Sequence, residues 1–141
     1  MSIKEKEDAL VGEFELFDEW MDKYSYIIEL GKEMPMIDTK FKDPQHIISG
    51  CQSRVWLHAE LVDGKINFTA DSDAVITKGI VSLLLRVVSG EEPKDIANTD
   101  FAFLELIGLQ DHLSPTRANG LVSMVKQIKL YARAFLLKSM S

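Results

Sequence analysis

A single cysteine, Cys51, stands out among the residues of this sequence that could carry covalent chemistry. It lies in the stretch ISGCQSRVW, with Gly50 before it and Gln52 and Ser53 after it. A lone cysteine is more often a small buried hydrophobe than a reactive group. Here, however, a glycine gives close backbone access, and free N–H groups in the turn would stabilise a thiolate and lower the pKa of the thiol. Three interpretations follow: a buried side chain, a metal ligand or a nucleophile.

The metal interpretation has weak support. His46 lies five residues before Cys51, whereas His58 and His112 are distant in sequence. One soft ligand does not make the set that a structural zinc or iron–sulfur site needs. The segment ADSDA, residues 70–74, resembles the start of a calcium loop but lacks the later ligands of the twelve-residue set. We therefore expect no metal and, without a glycine-rich phosphate loop, no nucleotide cofactor.

The nucleophile interpretation raises the question of a base. Spacing does not show which histidine would serve Cys51. His58 should point away from the core face of its strand, and His112 is better placed to support a helix start than to act as a base. A Cys-dependent hydrolase stays an open alternative without a visible oriented base. A thiol with no local catalytic partner suits a carrier driven by another protein, and a packing role in a regulatory binding module is the third alternative.

Composition and charge limit what the protein binds. Hydrophobic residues make up 46% and charged residues 27% of the 141 residues, which is typical of a soluble globular protein. The net charge of −6 argues against nonspecific binding to nucleic acid or anionic membranes but permits a basic protein partner. We expect no transmembrane helix and no secretory signal from this pattern, and one cysteine cannot form an internal disulfide. We expect a cytoplasmic protein with one domain over residues 1–141.

The elements before the cysteine must hold it in place. Apolar residues at spacings of three and four predict helical structure over residues 4–31, with a break between residues 18 and 26 and a stop at Gly31. Residues 34–53 show no sustained period and predict a long ordered loop. Its apolar side chains should pack on the domain; they are Met34, Met36, Ile37, Phe41, Ile47 and Ile48.

The elements after the cysteine are a hairpin and several helices. Alternation over residues 55–61 and 66–70, joined by Asp63-Gly64, predicts an antiparallel hairpin whose outer face, with Trp56 and His58, is partly covered. A buried central helix is expected over residues 74–89, with Ser72 or Asp73 as its cap. Short helices are expected at Pro93 and within residues 100–109, and a last helix begins at Ser114-Pro115. The predicted fold class is α+β, a small antiparallel sheet packed against several helices.

Four segments of this sequence together resemble the SufE family. They are YIIELG (26–31), GCQSRVW (50–56), DSDAVITKG (71–79) and LSPTRANGL (113–121), in the order and spacing of that family. Each would be weak alone, but the set is specific, and the resemblance runs from about residue 10 to the C-terminus. It implies a SufE/IscU-like fold. IscU-type scaffolds hold a cluster with three cysteines, whereas this chain has one.

The resemblance implies a sulfur-acceptor function. A PLP-dependent cysteine desulfurase of the SufS type would place persulfide sulfur on Cys51, and the acceptor would stimulate that desulfurase and pass sulfur to a SufBCD-like iron–sulfur scaffold. PLP belongs to the partner, so the chain is a sulfur-transfer partner rather than an independent enzyme. A CsdE-like paralogous acceptor shares the signature and stays an alternative. A weak homodimer is compatible with the family.

The resemblance also implies roles for further residues. Asp73 and Arg117 match charged positions around the cysteine loop, where they would hold or release it, and Arg117 would stabilise a thiolate or persulfide. Loop shaping and partner contact are expected for Gly50, Gln52, Ser53, Arg54 and Trp56. Ile47 and Ile48 would tuck Cys51 against the domain.

Overall fold

A computed structural model of the chain describes residues 2–50 and 53–139, so Cys51 and Gln52 lie outside the described residues. Within this part the chain forms six α-helices and a two-stranded antiparallel sheet, which confirms the α+β class. The elements are α1 (Ile3–Phe14), α2 (Trp20–Lys32), a 3₁₀ turn (Thr39–Phe41), β1 (Val55–Val62), β2 (Lys65–Ser72), α3 (Val75–Val88), α4 (Pro93–Asn98), α5 (Phe103–Leu106), a second 3₁₀ turn (Gln110–His112) and α6 (Pro115–Ser139). No helix in the described ranges has the length and apolarity to cross a membrane.

Helix α3 forms the centre of the core, as its apolar composition predicts. Eleven of its 14 residues are buried. Helix α2 packs against it so closely that a Cβ on Gly79 would overlap the carbonyl oxygen of Ile27. A Cβ on Gly31 would lie 2.8 Å from the backbone nitrogen of Gly79. The helix ends at Lys32, one residue past the expected stop, but Gly31 lacks the positive φ of a helix-ending glycine and instead permits close packing.

The hairpin forms as its alternating pattern predicts. Val55 pairs with Ser72 at one end and Val62 with Lys65 at the other. Both turn residues have positive φ, 53° at Asp63 and 81° at Gly64, as a tight two-residue hairpin turn requires. The inner face is buried, and the outer side chains Trp56 and His58 are half-buried, as expected; the buried set is Val55, Leu57, Ala59, Ile66, Phe68 and Ala70.

The prediction of a Ser72 or Asp73 cap on α3 is wrong. Ala74 is the N-cap and makes no side-chain capping hydrogen bond. Asp73 instead accepts a hydrogen bond from the backbone N–H of Arg54, because the hairpin register brings that residue beside it. The predicted start of α6 is confirmed, since Pro115 is its first residue and the Ser114 hydroxyl accepts from the backbone N–H of Arg117 at 3.3 Å.

The long loop between α2 and β1 follows both edges of the hairpin. Met36 bridges Ala70 on the outer edge of β2, and Ile47 bridges Trp56 on the outer edge of β1. The predicted packing of its apolar residues is correct for Met34, Ile37 and Ile48, which are buried, and for Phe41, which is half-buried. It is wrong for Met36 and Ile47, which are 49% and 40% exposed, because their backbones rather than their side chains meet the hairpin.

A buried carboxylate fixes the middle of this loop. Asp71 is 7% exposed, and its oxygens lie 2.5 Å from Lys42 Nζ and 3.4 Å from Lys78 Nζ. Burial by itself would raise the pKa of Asp71. The hydrogen bonds from Lys42 and from the Ser72 N–H, together with the charge of Lys78, outweigh burial and hold the pKa below its usual value.

Replacement of Gly79 by alanine should destabilise the fold strongly. The new methyl group would overlap the backbone carbonyl of Ile27 in α2 as well as the Cγ2 atom of that residue, and not only the end of a flexible side chain. We expect Gly79→Ala to lower the free energy of unfolding by about 2 kcal/mol or more, measured by urea denaturation. The control is Gly12→Ala in α1, where no atom lies within 4 Å of the added carbon and where alanine should be neutral or stabilising by up to about 1 kcal/mol. Equal effects of the two changes would contradict the close contact.

Replacement of Asp71 by asparagine should make stability less sensitive to acid. The folded pKa of Asp71 is depressed, so its ionised form stabilises the fold above the unfolded value of about 3.9 and this contribution is lost as the pH falls through the folded pKa. We expect Asp71→Asn to cost about 1–3 kcal/mol at neutral pH and progressively less below about pH 4.

Urea denaturation at neutral and acidic pH would measure this difference. The control is Glu29→Gln, which removes an exposed pair with Lys32 and should change stability by less than about 0.5 kcal/mol. A cost at Asp71 that stays constant down to acidic pH would argue against the depressed pKa.

Candidate functional site

The segment that contains Cys51 starts and ends at paired backbone. The Ile48 N–H donates to the Val55 carbonyl and the Leu57 N–H donates to the His46 carbonyl, both at 2.9 Å. Residues 49–54 connect these paired stretches, and we call them the cysteine segment. The roles expected for Cys51 and Gln52 stay predictions because both lie outside the described residues.

The described residues beside the cysteine lie against α6 and α3. Gly50 has a φ of 90°, and a Cβ there would lie 2.5 Å from the hydroxyl oxygen of Ser123 on α6. Backbone conformation and space therefore both favour glycine at this position. On the other side, the Thr77 hydroxyl of α3 donates to the Ser53 hydroxyl at 3.5 Å. These contacts suit the shaping role expected of Gly50 and Ser53.

Asp73 holds the end of the cysteine segment. Its carboxylate accepts from the Arg54 N–H at 3.0 Å, and its own N–H donates to the Arg54 carbonyl at 3.3 Å. The side chains of Arg54 and Asp73 are both exposed. Trp56, two residues further, is half-buried under Lys42, whose Nζ lies 5.4 Å from the ring centroid.

Arg117 and the cysteine segment meet at one small cavity. Ser53, Thr77 and Arg117 line this cavity of about 50 Å³, together with Ile80, Thr116, Gly120 and Met124. A guanidinium nitrogen of Arg117 lies 3.4 Å from the Tyr24 hydroxyl of α2. A cation at this cavity would favour an anion formed on the adjoining segment. The structure thus brings Ser53 and Arg117 together, whereas Asp73 acts on the segment through the Arg54 backbone.

Sequence reasoning missed a pair of histidines beside the cysteine segment. His46 Nε2 lies 3.1 Å from His58 Nδ1, although the residues are 12 apart in sequence. Carboxylates flank the pair: His46 Nδ1 is 2.7 Å from Asp43 Oδ1, and His58 Nε2 is 3.0 Å from Glu60 Oε1. The Phe41 ring stacks on His58 with centroids 3.7 Å apart. The only feature of the sequence that pointed to this pair was the expected outward position of His58 on β1.

The third histidine, His112, makes contacts away from the histidine pair. His112 stacks on Trp20, with ring centroids 4.1 Å apart, and its Nδ1 lies 3.0 Å from the Gly108 carbonyl oxygen. The ring contacts found for the three histidines thus involve no described residue of the cysteine segment. Within the described ranges, no group of three or more His, Cys, Asp or Glu side chains is arranged to hold a metal ion.

Comparison with known proteins places the chain in a family. The SufE family model, described as an Fe-S metabolism associated domain, matches residues 8–132. An uncharacterized SufE-like protein of Rhizobium meliloti (strain 1021) is 39% identical over 127 residues, which cover 86% of this chain and 91% of that protein. A second uncharacterized SufE-like protein, from Rhizobium etli, is 39% identical over 131 residues, which cover 89% of this chain and 88% of that protein.

A solved structure supports the fold. The solution structure of a hypothetical protein from Thermus thermophilus superposes with a TM-score of 0.78 at 19% identity. The match covers 94% of this chain and 96% of that chain. The family match and the two relatives extend over most of the sequence, and the family model includes all four segments in which the resemblance was seen. This chain belongs to the SufE family.

Proposed function

We propose that this protein is a sulfur acceptor and carrier, with Cys51 as the residue that holds the sulfur. The donor is a PLP-dependent cysteine desulfurase of the SufS type, which the protein stimulates, and the recipient is an iron–sulfur scaffold of the SufBCD type. One observation carries the proposal: the only cysteine of a SufE-family chain lies in a segment whose two ends are fixed to the hairpin. Such a segment can present a thiol to a partner while the fold stays intact.

The proposed step is a thiol exchange. The Cys51 thiolate attacks the outer sulfur of a persulfide on the desulfurase, the sulfur–sulfur bond breaks, and the cysteine of the partner leaves as a thiolate. The outer sulfur is then bonded to Cys51. A second exchange of the same kind moves it to the next acceptor. No external oxidant or reductant is needed, and PLP stays with the desulfurase.

The residues around the cysteine segment have different roles in this transfer. Arg117, at the cavity that Ser53 also lines, favours the anionic forms of thiol and persulfide. Asp73 holds the end of the segment through Arg54 until a partner docks. Gly50 and Ser53 shape the segment against α6 and α3, while Gln52 and Trp56 contribute to partner contact. A carrier of this kind would act in the cytoplasm, where thiols stay reduced.

Incubation with a cognate desulfurase, PLP and cysteine should add about one sulfur atom to the protein. Intact mass spectrometry would detect the gain, which we expect in the wild type and not in Cys51→Ser, and which a reductant should reverse. Ser25→Ala, which removes an exposed hydroxyl of α2 that donates to the Met21 carbonyl, serves as a folded control. A wild-type protein that gains no sulfur from an active desulfurase would refute the carrier function, and acylation of Cys51 without a desulfurase would favour a hydrolase.

Release of the segment from Asp73 should speed alkylation of the thiol. Asp73→Ala removes the acceptor of the Arg54 N–H, so we expect Cys51 to react about fivefold faster with iodoacetamide at neutral pH. The matched control is Asp100→Ala, which removes a carboxylate that accepts a local backbone hydrogen bond in the turn before α5. Equal alkylation rates in the two variants, both folded by circular dichroism, would show that Asp73 does not hold the segment.

A further inference from the structure

The paired histidines lie where the long loop joins β1, directly before the cysteine segment. His46 belongs to the stretch 46–48 that pairs with β1, and His58 projects from the outer face of that strand. We propose that His46 and His58 form a proton-dependent latch, a pair of positioning residues that fixes the start of the cysteine segment. The consequence for sulfur transfer rests on the proposed function, whereas the latch itself does not.

The protonation state of the pair follows from counting protons. An ionised carboxylate only accepts hydrogen bonds, so His46 Nδ1 and His58 Nε2 must both carry hydrogen to bind Asp43 and Glu60. The contact between His46 Nε2 and His58 Nδ1 needs one hydrogen more. Three hydrogens on two rings mean that the pair carries one positive charge.

Any other protonation state loses a contact. Two neutral rings carry two hydrogens, so one of the three hydrogen bonds is missing. Two cationic rings carry four, so two N–H groups face each other at the central contact, 3.1 Å apart. The latch is therefore complete only in the state with one shared proton, and it weakens in both acid and alkali.

A carboxylate lies at each end of the histidine pair. Asp43 also accepts from the backbone N–H groups of Gln45 and His46, and its hydrogen bond with the His46 ring is the main reason that its pKa lies below the usual value. The positive pair thus lies between two negative groups. Among the other groups near the pair, Lys40 lies over the Phe41 ring that stacks on His58, and Tyr131 of α6 feels the charge of Asp43. Strand β2 places the uncharged Thr69 opposite His58.

The latch acts on the same backbone that delimits the cysteine segment. The carbonyl of His46 accepts from Leu57, and two residues later the N–H of Ile48 donates to Val55. Stacking of Phe41 on His58 adds a second contact between loop and strand. Loss of the shared proton should therefore loosen residues 46–48 without opening the β1–β2 ladder.

Amide hydrogen exchange measured by NMR between about pH 5 and about pH 9 tests the latch without any partner. The reporters are the N–H groups of Ile48 and Leu57, and the internal reference is the N–H of Ile66, which donates to Glu91 elsewhere on the hairpin. In the wild type we expect their protection relative to the reference to peak at intermediate pH and to fall about tenfold on either side. A chelator in the buffer prevents adventitious metal from joining the rings.

Two variants of His58 distinguish the effect of the shared proton from the effect of the side chain's size and shape. The amide of His58→Asn can donate to a neutral His46, so this variant should keep the two amides protected at alkaline pH, where the wild type loses protection. His58→Leu should lose protection at every pH. The control His112→Asn changes a histidine outside the pair and should behave as the wild type. Protection of Ile48 and Leu57 that is independent of pH in the wild type, or equal in all variants, would overturn the proposal.

Sulfur loading then tests the role in transfer. With a desulfurase, His58→Leu should load Cys51 about tenfold more slowly than the wild type at neutral pH, and His58→Asn should recover most of that rate. A wild type that shows the exchange profile but accepts no sulfur would refute the proposed function and leave the latch intact. Normal loading in His58→Leu despite lost protection would overturn the positioning role.

Discussion

Helices α2 and α3 touch along their backbones at Gly31 and Gly79, with no room for a side chain on either residue. This contact sets the depth at which α3 lies in the core and the line along which α2 crosses it. The first turns of α2 then place Tyr24 beside Arg117, and α3 places Thr77 beside Ser53. Helix α3 thus contacts the cysteine segment directly and α2 contacts it through Arg117, and the positions of both side chains depend on the contact between two buried glycines.

The sequence predicts the parts of this fold that depend on near neighbours. The apolar run of α3, the Asp63-Gly64 turn and the Ser114-Pro115 start are all readable because their causes lie within a few residues. Prediction fails where the partner is remote. In the sequence Gly31 resembles a helix stop, but in the fold it packs against Gly79. Asp73 resembles a helix cap in the sequence, but in the fold it accepts from the Arg54 amide, which the hairpin brings beside it.

The same limit applies to the site. The motif around Cys51 could be recognised in the sequence, but His46 and His58 gave no common signal because the loop that joins them has no regular period. The two ends of the cysteine segment are held by different kinds of interaction. The end at Arg54 depends on an exposed carboxylate, and the start at His46 depends on a proton shared between two rings.

The loop that covers the hairpin has a further consequence. A two-stranded sheet would normally offer two free edges to a strand from another molecule. Here Met36 occupies the edge of β2 at Ala70, Glu91 occupies it at Ile66, and Ile47 occupies the edge of β1 at Trp56. Among the described residues, the bridges occupy the β2 edge at both Ala70 and Ile66 but reach the β1 edge only at Trp56. A strand from another molecule that extends the hairpin by backbone pairing would therefore add along the far end of β1, from Ala59 to Val62.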